Sequence, residues 1–120
     1  MPKYLDENSR VCWTRIVYVI ELKTEACAKA GSPCKGGRCG RIPVYVGETC
    51  HTAQERFDQH KAGYKASPWV RKYGIRLRPW LAGRFGEMAT PPESKAAEVE
   101  LARRLRKRGK GKKYCVYGGH

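Results

Sequence analysis

Residues 15–22 read RIVYVIEL. The run is β-branched and aromatic, contains no Gly or Pro, and is apolar at positions of both parities. That pattern predicts a central strand, covered on both faces. A second run, IPVYVG at residues 42–47, predicts another short strand, with Pro43 tolerable only at its start or on an edge. Residues 23–41 between them hold four Gly, one Pro and three Cys. This is a loop longer than most hairpin connections. The two runs therefore predict a hairpin with an inserted loop.

Working outward, Thr52 and Glu55 have the spacing of a capping box, which starts a helix near residue 53 with Gly63 as its stop. Ser67-Pro68 predicts an N-cap and a first-turn proline, opening a short basic helix through Tyr73 that Gly74 ends. Residues 75–81, IRLRPWL, alternate and predict a third strand. Ile75, Leu77, Pro79 and Leu81 fall on one face, and Arg76, Arg78 and Trp80 on the other. The second face suits a phosphate backbone or an unstacked base, or is the charged guard of an edge strand. Residues 82–89 read as a loop. Thr90-Pro91-Pro92-Glu93 then predicts a second capping box, and its helix should run to about Arg108, before Gly109. YCVY at 114–117 predicts a short final strand. The expected fold is α+β: a small antiparallel sheet of about three strands flanked by helices, in the order β-β-α-α-β-α with a short C-terminal strand. With 120 residues the chain reads as a single domain, its motifs spanning about 15–108.

Lys and Arg total 25 and Asp and Glu 11, a formal charge of +14. Residues 1–60 carry nine basic and seven acidic side chains, and residues 61–120 carry sixteen and four. A compact chain so charged repels itself, and the usual beneficiary is a polyanion, whose counterions are released on binding. No apolar run is long enough to span a membrane, and no basic helix has a large apolar face that would lie on one. The N-terminus lacks the apolar segment of an export signal. The expected location is therefore cytoplasmic, with the nucleoid if the source is bacterial, and the expected partner is nucleic acid rather than membrane. Lys65, Arg71, Lys72, Arg76, Arg78 and Arg104 are the candidate nucleic-acid contacts.

The last helix holds an acidic residue in an unusual place. Leu101, Ala102 and Leu105 lie three, four and seven residues after Glu98, so Glu98 sits on the apolar stripe. Glu100 instead faces Arg103 and Arg104. A carboxylate on a buried face must be protonated, paired or bound to metal. A buried Glu–Arg pair is the plainer of these outcomes. On the first helix, Ala53, Phe57, His60 and Tyr64 define the inner face, and Arg56, four residues before His60, borders it. Tyr18 and Tyr45 stand on the two strands. A cation, an imidazole, an inward carboxylate and two tyrosines within a basic protein suggest phosphodiester chemistry.

These motifs resemble the GIY-YIG nuclease superfamily. Ile16-Val17-Tyr18 stands where that family carries GIY, and Tyr45-Val46-Gly47 where it carries YIG. Arg56, eleven residues after Tyr45, matches the family's helical arginine. His60 follows four residues on, where the family often has His or Tyr. Glu98, followed by Leu101, matches the metal-binding glutamate. The chain departs from the pattern in four ways. Ile16 replaces Gly, the two tyrosines are 27 residues apart because of the inserted loop, Glu48 stands where some members have Lys, and the C-terminal Asn of some members has no counterpart. The resemblance implies a divalent-metal-dependent endonuclease acting on nucleic acid, DNA in preference to RNA. It implies one Mg²⁺ or Mn²⁺ held by Glu98, and Arg56 on the scissile phosphate. Tyr18 would be the general base or would orient water, with Tyr45 in the same network and His60 as an accessory proton or phosphate group. The alternative is a non-catalytic nucleic-acid-binding module on the same fold. A single centre cuts one strand, so a dimer is one route to cutting both.

Six cysteines occur, with no CxxC. Cys27, Cys34, Cys39 and Cys50 offer a four-thiolate Zn²⁺ set at atypical spacing. Disulfides would call for an oxidising compartment, and Cys12 and Cys115 suit packed thiols.

Overall fold

The computed structural model describes residues 4–5, 11–12, 15–29, 32–33, 41–83, 91–109 and 113–119. Strand β1 (Tyr4–Leu5) pairs antiparallel with β2 (Val11–Cys12) in a small ribbon the sequence did not announce. The main sheet is built on β3 (Ile16–Leu22), the run quoted first, and β4 (Ile42–Thr49). They pair antiparallel from Ile16 opposite Thr49 to Glu21 opposite Val44. β5 (Gly74–Leu77) lies on the other side of β3, and β6 (Tyr114–Gly118) on the other side of β4, giving the order β5-β3-β4-β6. β3 is therefore central, as its two apolar faces require.

The architecture is α+β, with one change from expectation. The C-terminal strand joins the sheet parallel to β4, from Ile42 opposite Tyr114 to Val46 opposite Gly118, so the four-stranded sheet is mixed rather than antiparallel. Helix α4 (Pro91–Lys107) covers one face, setting Leu101, Ala102 and Leu105 on Val17, Val19, Val44, Val46 and Val116. Helices α1 (Ala53–Ala62) and α2 (Pro68–Tyr73) cover the other with Phe57, Val70 and Tyr73 on Tyr18, Ile20 and Leu22. The strict alternation along β3 divides its side chains between these two layers.

The capping box at α1 is present. Glu55 N–H donates to Thr52 Oγ1 at 3.1 Å, and Thr52 N–H to Glu55 Oε1 at 3.3 Å. Thr52→Ala should lower the unfolding free energy by about 1 kcal/mol, read as a lower urea midpoint at unchanged slope. Gly63 ends the helix in the left-handed region at φ 88°. The chain turns away there, so Tyr64, expected on the inner face, is instead exposed. The strand expected over 75–81 is also shorter than its alternation implied. Arg78 N–H gives the last rung to Val19 O at 2.8 Å. Pro79, which has no N–H to give and a helical φ, then opens a short helical turn, α3 (Pro79–Ala82), that buries Ala82. Trp80 is thus on α3 and not on a strand face. In the long loop, a 3₁₀ turn at Thr24–Ala28 buries Ala26 and Cys27. The expected N-cap Thr90, most of the 82–89 loop, and Lys110, Gly111 and Lys112 lie outside the described residues.

Candidate active site

Tyr18 and Tyr45 are brought together by the register. Tyr18 lies opposite Gly47 and Ile20 opposite Tyr45, so both tyrosines stand on the α1 face, with ring centroids 6.4 Å apart. The His60 ring packs against both, at 6.1 Å from Tyr18 and 5.6 Å from Tyr45. Gly47 makes this possible. A Cβ there would stand 2.5 Å from Tyr18 Oη and 2.6 Å from Cζ.

Hydrogen bonding assigns the proton positions. Ser67 N–H donates to His60 Nδ1 at 3.0 Å. Nδ1 therefore carries no proton, the ring is neutral, and its proton sits on Nε2. Nε2–H then donates to Tyr18 Oη at 2.8 Å. Tyr18 oxygen is an acceptor in this bond, which leaves the phenol's own proton to point elsewhere. His60, which the resemblance implies as an accessory proton or phosphate group, is 1% exposed and hydrogen-bonded to Tyr18.

Arg56 is 9% exposed, and most of its donors are engaged by the turn after α1. Nη1 donates to Gln59 Oε1 at 3.0 Å and Tyr64 O at 3.2 Å, and Nη2 to Lys65 O at 2.8 Å. The resemblance implies Arg56 on the scissile phosphate; in the structure these bonds tie Arg56 to the segment that carries Ser67. Lys65 itself has φ 42°, the left-handed region, which aims its carbonyl at Arg56. Arg56 also acts on Tyr18. Burial, and then Tyr45, push the Tyr18 phenol far above its ordinary range; the charge of Arg56 and a hydrogen bond from it pull the other way, while Glu98 pushes up again. Tyr45 is raised chiefly by burial and then by Glu98, against Arg56 and a hydrogen bond with Ser67.

Glu98 is 6% exposed, as its place on the apolar stripe implied. Its partners are not the arginine that seemed the plainer outcome. Gly119 N–H donates to Oε1 at 3.2 Å, and Lys95 Nζ lies 3.5 Å away. Burial raises its carboxyl pKa most. Glu48 raises it further, while Lys95 and the Gly119 N–H oppose. Glu48 is itself hydrogen-bonded by Ser94 Oγ. Two residues further along the helix, Arg103 and Arg104 hold Glu100 down to about 2. One helix thus carries two glutamates in opposite electrostatic states.

Glu98 belongs to the α4 layer and the tyrosines to the α1 layer. They meet at the end of β6, where Gly118 and Gly119 have φ of 74° and 70°. A Cβ on Gly118 would stand 3.0 Å from the Tyr45 ring, and one on Gly119 would run into Ala102. The glycine pair lets the end of β6 pack tightly between the two layers, and the Glu98 charge acts on both tyrosines across it. Gly119 and Ser94 were not among the residues singled out by sequence; Ser67 was named only as a helix cap, and Gly47 and Glu48 only for their places in the family's pattern.

The other candidates are more dispersed. Lys65, Arg71 and Lys72 flank the α1–α2 turn, where Arg71 packs beside Gly63 and Lys72 lies over the Tyr73 ring. Arg76 and Arg78 both pair with Glu21, and Arg78 stacks on Trp80. Arg104, on α4, pairs with Glu100 at 3.0 Å. One member of the proposed zinc set, Cys50, is already committed to another bond. Cys50 is disulfide-bonded, as is Cys115, so its sulfur is not a thiolate. Cys27 is a buried thiol, and Cys34 and Cys39 lie outside the described residues. Among the described residues no three of His, Cys, Asp and Glu gather at one point, and no helix is long and apolar enough to cross a membrane. Comparison with family models, curated proteins and solved structures returns no match to this chain.

Proposed function

We propose that this chain is a GIY-YIG-type, divalent-metal-dependent endonuclease that hydrolyses phosphodiester bonds in nucleic acid, DNA in preference to RNA. The observation that carries the reading is the Tyr18 oxygen held by His60 and Arg56 within the electrostatic reach of a buried glutamate from the opposite layer. Binding a polyanion needs only surface charge. It gives no reason to bury Arg56, His60 and Glu98 around two tyrosines.

The donor chemistry fits a hard cation. Glu98 is a buried carboxyl whose pKa is raised by burial, with Glu48 at hand, and oxygen donors of this kind suit Mg²⁺ or Mn²⁺, which keep most of their waters. When bound there, the cation supplies positive charge against the charge that develops on phosphate. His60 and Arg56 both donate to the Tyr18 oxygen, so that oxygen can give up its own proton and remain hydrogen-bonded. Arg56 also keeps the Ser67 segment in register. Tyr45 packs against Tyr18 and His60 in the same network.

Two observations favour the binding-module alternative: Tyr18 is held protonated and most Arg56 donors are already engaged. A single experiment separates the two. Purified protein should nick supercoiled plasmid in Mg²⁺ or Mn²⁺ and stop in EDTA. Salt-dependent binding with no nicking under any divalent metal would establish the module instead.

A further inference from the structure

Next to Tyr18 is a cavity of about 310 Å³, at the lower end of the roughly 300–1,000 Å³ range that holds small ligands. Its walls include Ile16, Ala53, Leu77 and Pro79. It lies against the part of β3 that β5 leaves uncovered, since their pairing stops at Ile20. Arg78 N–H bonds Val19 O on that edge. By the alternation of the ladder, Val17 N–H and C=O face the same edge two residues earlier, beyond the last β5 pair. The cavity therefore combines flat apolar walls with one backbone donor and one backbone acceptor.

A second groove, of about 390 Å³, shares Ala82 and Gly83 with the first. Leu101 and Leu105 line it, with Arg104 and Arg108 among its other residues. Trp80 stands at this groove, 65% exposed, with the Arg78 guanidinium 5.1 Å from its ring centroid. Among the described residues, no carboxylate lines either depression. An exposed indole beside arginines is a stacking platform for a base, and bases inside a paired duplex present no face to it.

We propose that this continuous surface takes an unpaired nucleotide strand: one base enters the cavity beside Tyr18, met at its edge by Val17 N–H and C=O, and the strand continues around α3 onto Trp80, its phosphates toward Arg104 and Arg108. The inference rests on the nucleic-acid reading of the site and adds the substrate class, namely nucleic acid that is locally unpaired next to the cut. A base brought into an apolar slot must first leave its stack, and a mismatch, bulge or gap lowers that cost.

The test is binding in EDTA, where no cutting occurs, so it is independent of nicking. Fluorescence anisotropy would compare a fully paired 20-mer DNA with the same duplex carrying one bulged nucleotide. The bulged duplex should bind about tenfold more tightly at equal salt. Ala53→Leu, which narrows the cavity at a helix-compatible position, and Trp80→Ala should each bring that ratio close to one with circular dichroism unchanged. Equal affinity for the two DNAs in the wild-type protein would overturn the inference, as would a preference that survives in both folded variants. A bulge preference without plasmid nicking would keep the inference and remove the nuclease. Nicking without a bulge preference would do the reverse.

Discussion

Glu98→Gln is expected to lower plasmid nicking in Mg²⁺ or Mn²⁺ by roughly 100-fold or more, the scale seen when one stabiliser of developing charge is removed. The substitution keeps the shape and the acceptor for Gly119 N–H, so fold and DNA affinity should hold. It also makes a second, opposite forecast. Burial raises the Glu98 carboxyl pKa in the folded state above its unfolded value. For an acid shifted in that direction, the folded state prefers the proton. The associated stability is full at pH below the unfolded carboxyl pKa and is lost as pH rises through the folded one. At neutral pH without metal, that stability is missing from the wild-type protein, and Glu98→Gln, which has no proton to lose, keeps it. The variant should melt higher than wild type in EDTA at pH 7, and the gap should close as the pH falls into the carboxylate range. Adding Mn²⁺ should raise the wild-type melting temperature and leave the variant unmoved. Lost activity together with lost folding would make Glu98 a structural residue. Undiminished nicking would remove it from the chemistry.

The parts of this architecture that follow from local pattern were readable in the sequence. The two-faced apolarity of 15–22 placed a central strand, Thr52 and Glu55 placed the start of α1, and the three- and four-residue spacing of Leu101, Ala102 and Leu105 after Glu98 placed a carboxylate inside. Tyr18, Tyr45, Arg56, His60 and Glu98 do converge in space. What each of them does there was less accessible, because it depends on groups distant in sequence or on backbone atoms. Ser67 N–H fixes the His60 tautomer and Gly119 N–H holds Glu98 from 21 residues away; backbone donors leave no mark in a residue pattern. Pro79 misled for a related reason. In IRLRPWL the alternation continues through the proline, but the missing N–H ends the ladder at Arg78, and the chain coils instead of extending. The parallel docking of β6 depends on where α4 delivers the chain, which a four-residue apolar run does not encode.

Gly47→Ala should be as damaging to the site as Glu98→Gln, and by an unrelated route. The added Cβ would fall 2.5 Å from Tyr18 Oη, 2.6 Å from its Cζ and 3.0 Å from the Tyr45 ring. None of these atoms has room to give. Tyr18 is 3% exposed, its hydroxyl is hydrogen-bonded to His60, and its ring is flanked by Tyr45 and His60. Gly47 lies directly opposite Tyr18 in the β3–β4 pair, so main-chain movement would disturb rungs on both sides. Overpacking at such a position costs about 1–3 kcal/mol, readable as a lower urea midpoint. The displaced Tyr18 oxygen should leave its bond to His60 and reduce nicking by roughly 100-fold, the lower scale of a lost proton-transfer group. A double-mutant cycle isolates the cause. In a Tyr18→Ala background the ring is gone and the added methyl has space, so Gly47→Ala should lose most of its cost in stability. If the penalty is instead the same in both backgrounds, the glycine serves the backbone of β4 and not the tyrosine. If Gly47→Ala has neither a stability nor an activity cost, Tyr18 is not packed over Gly47, and the site geometry derived from that contact is wrong.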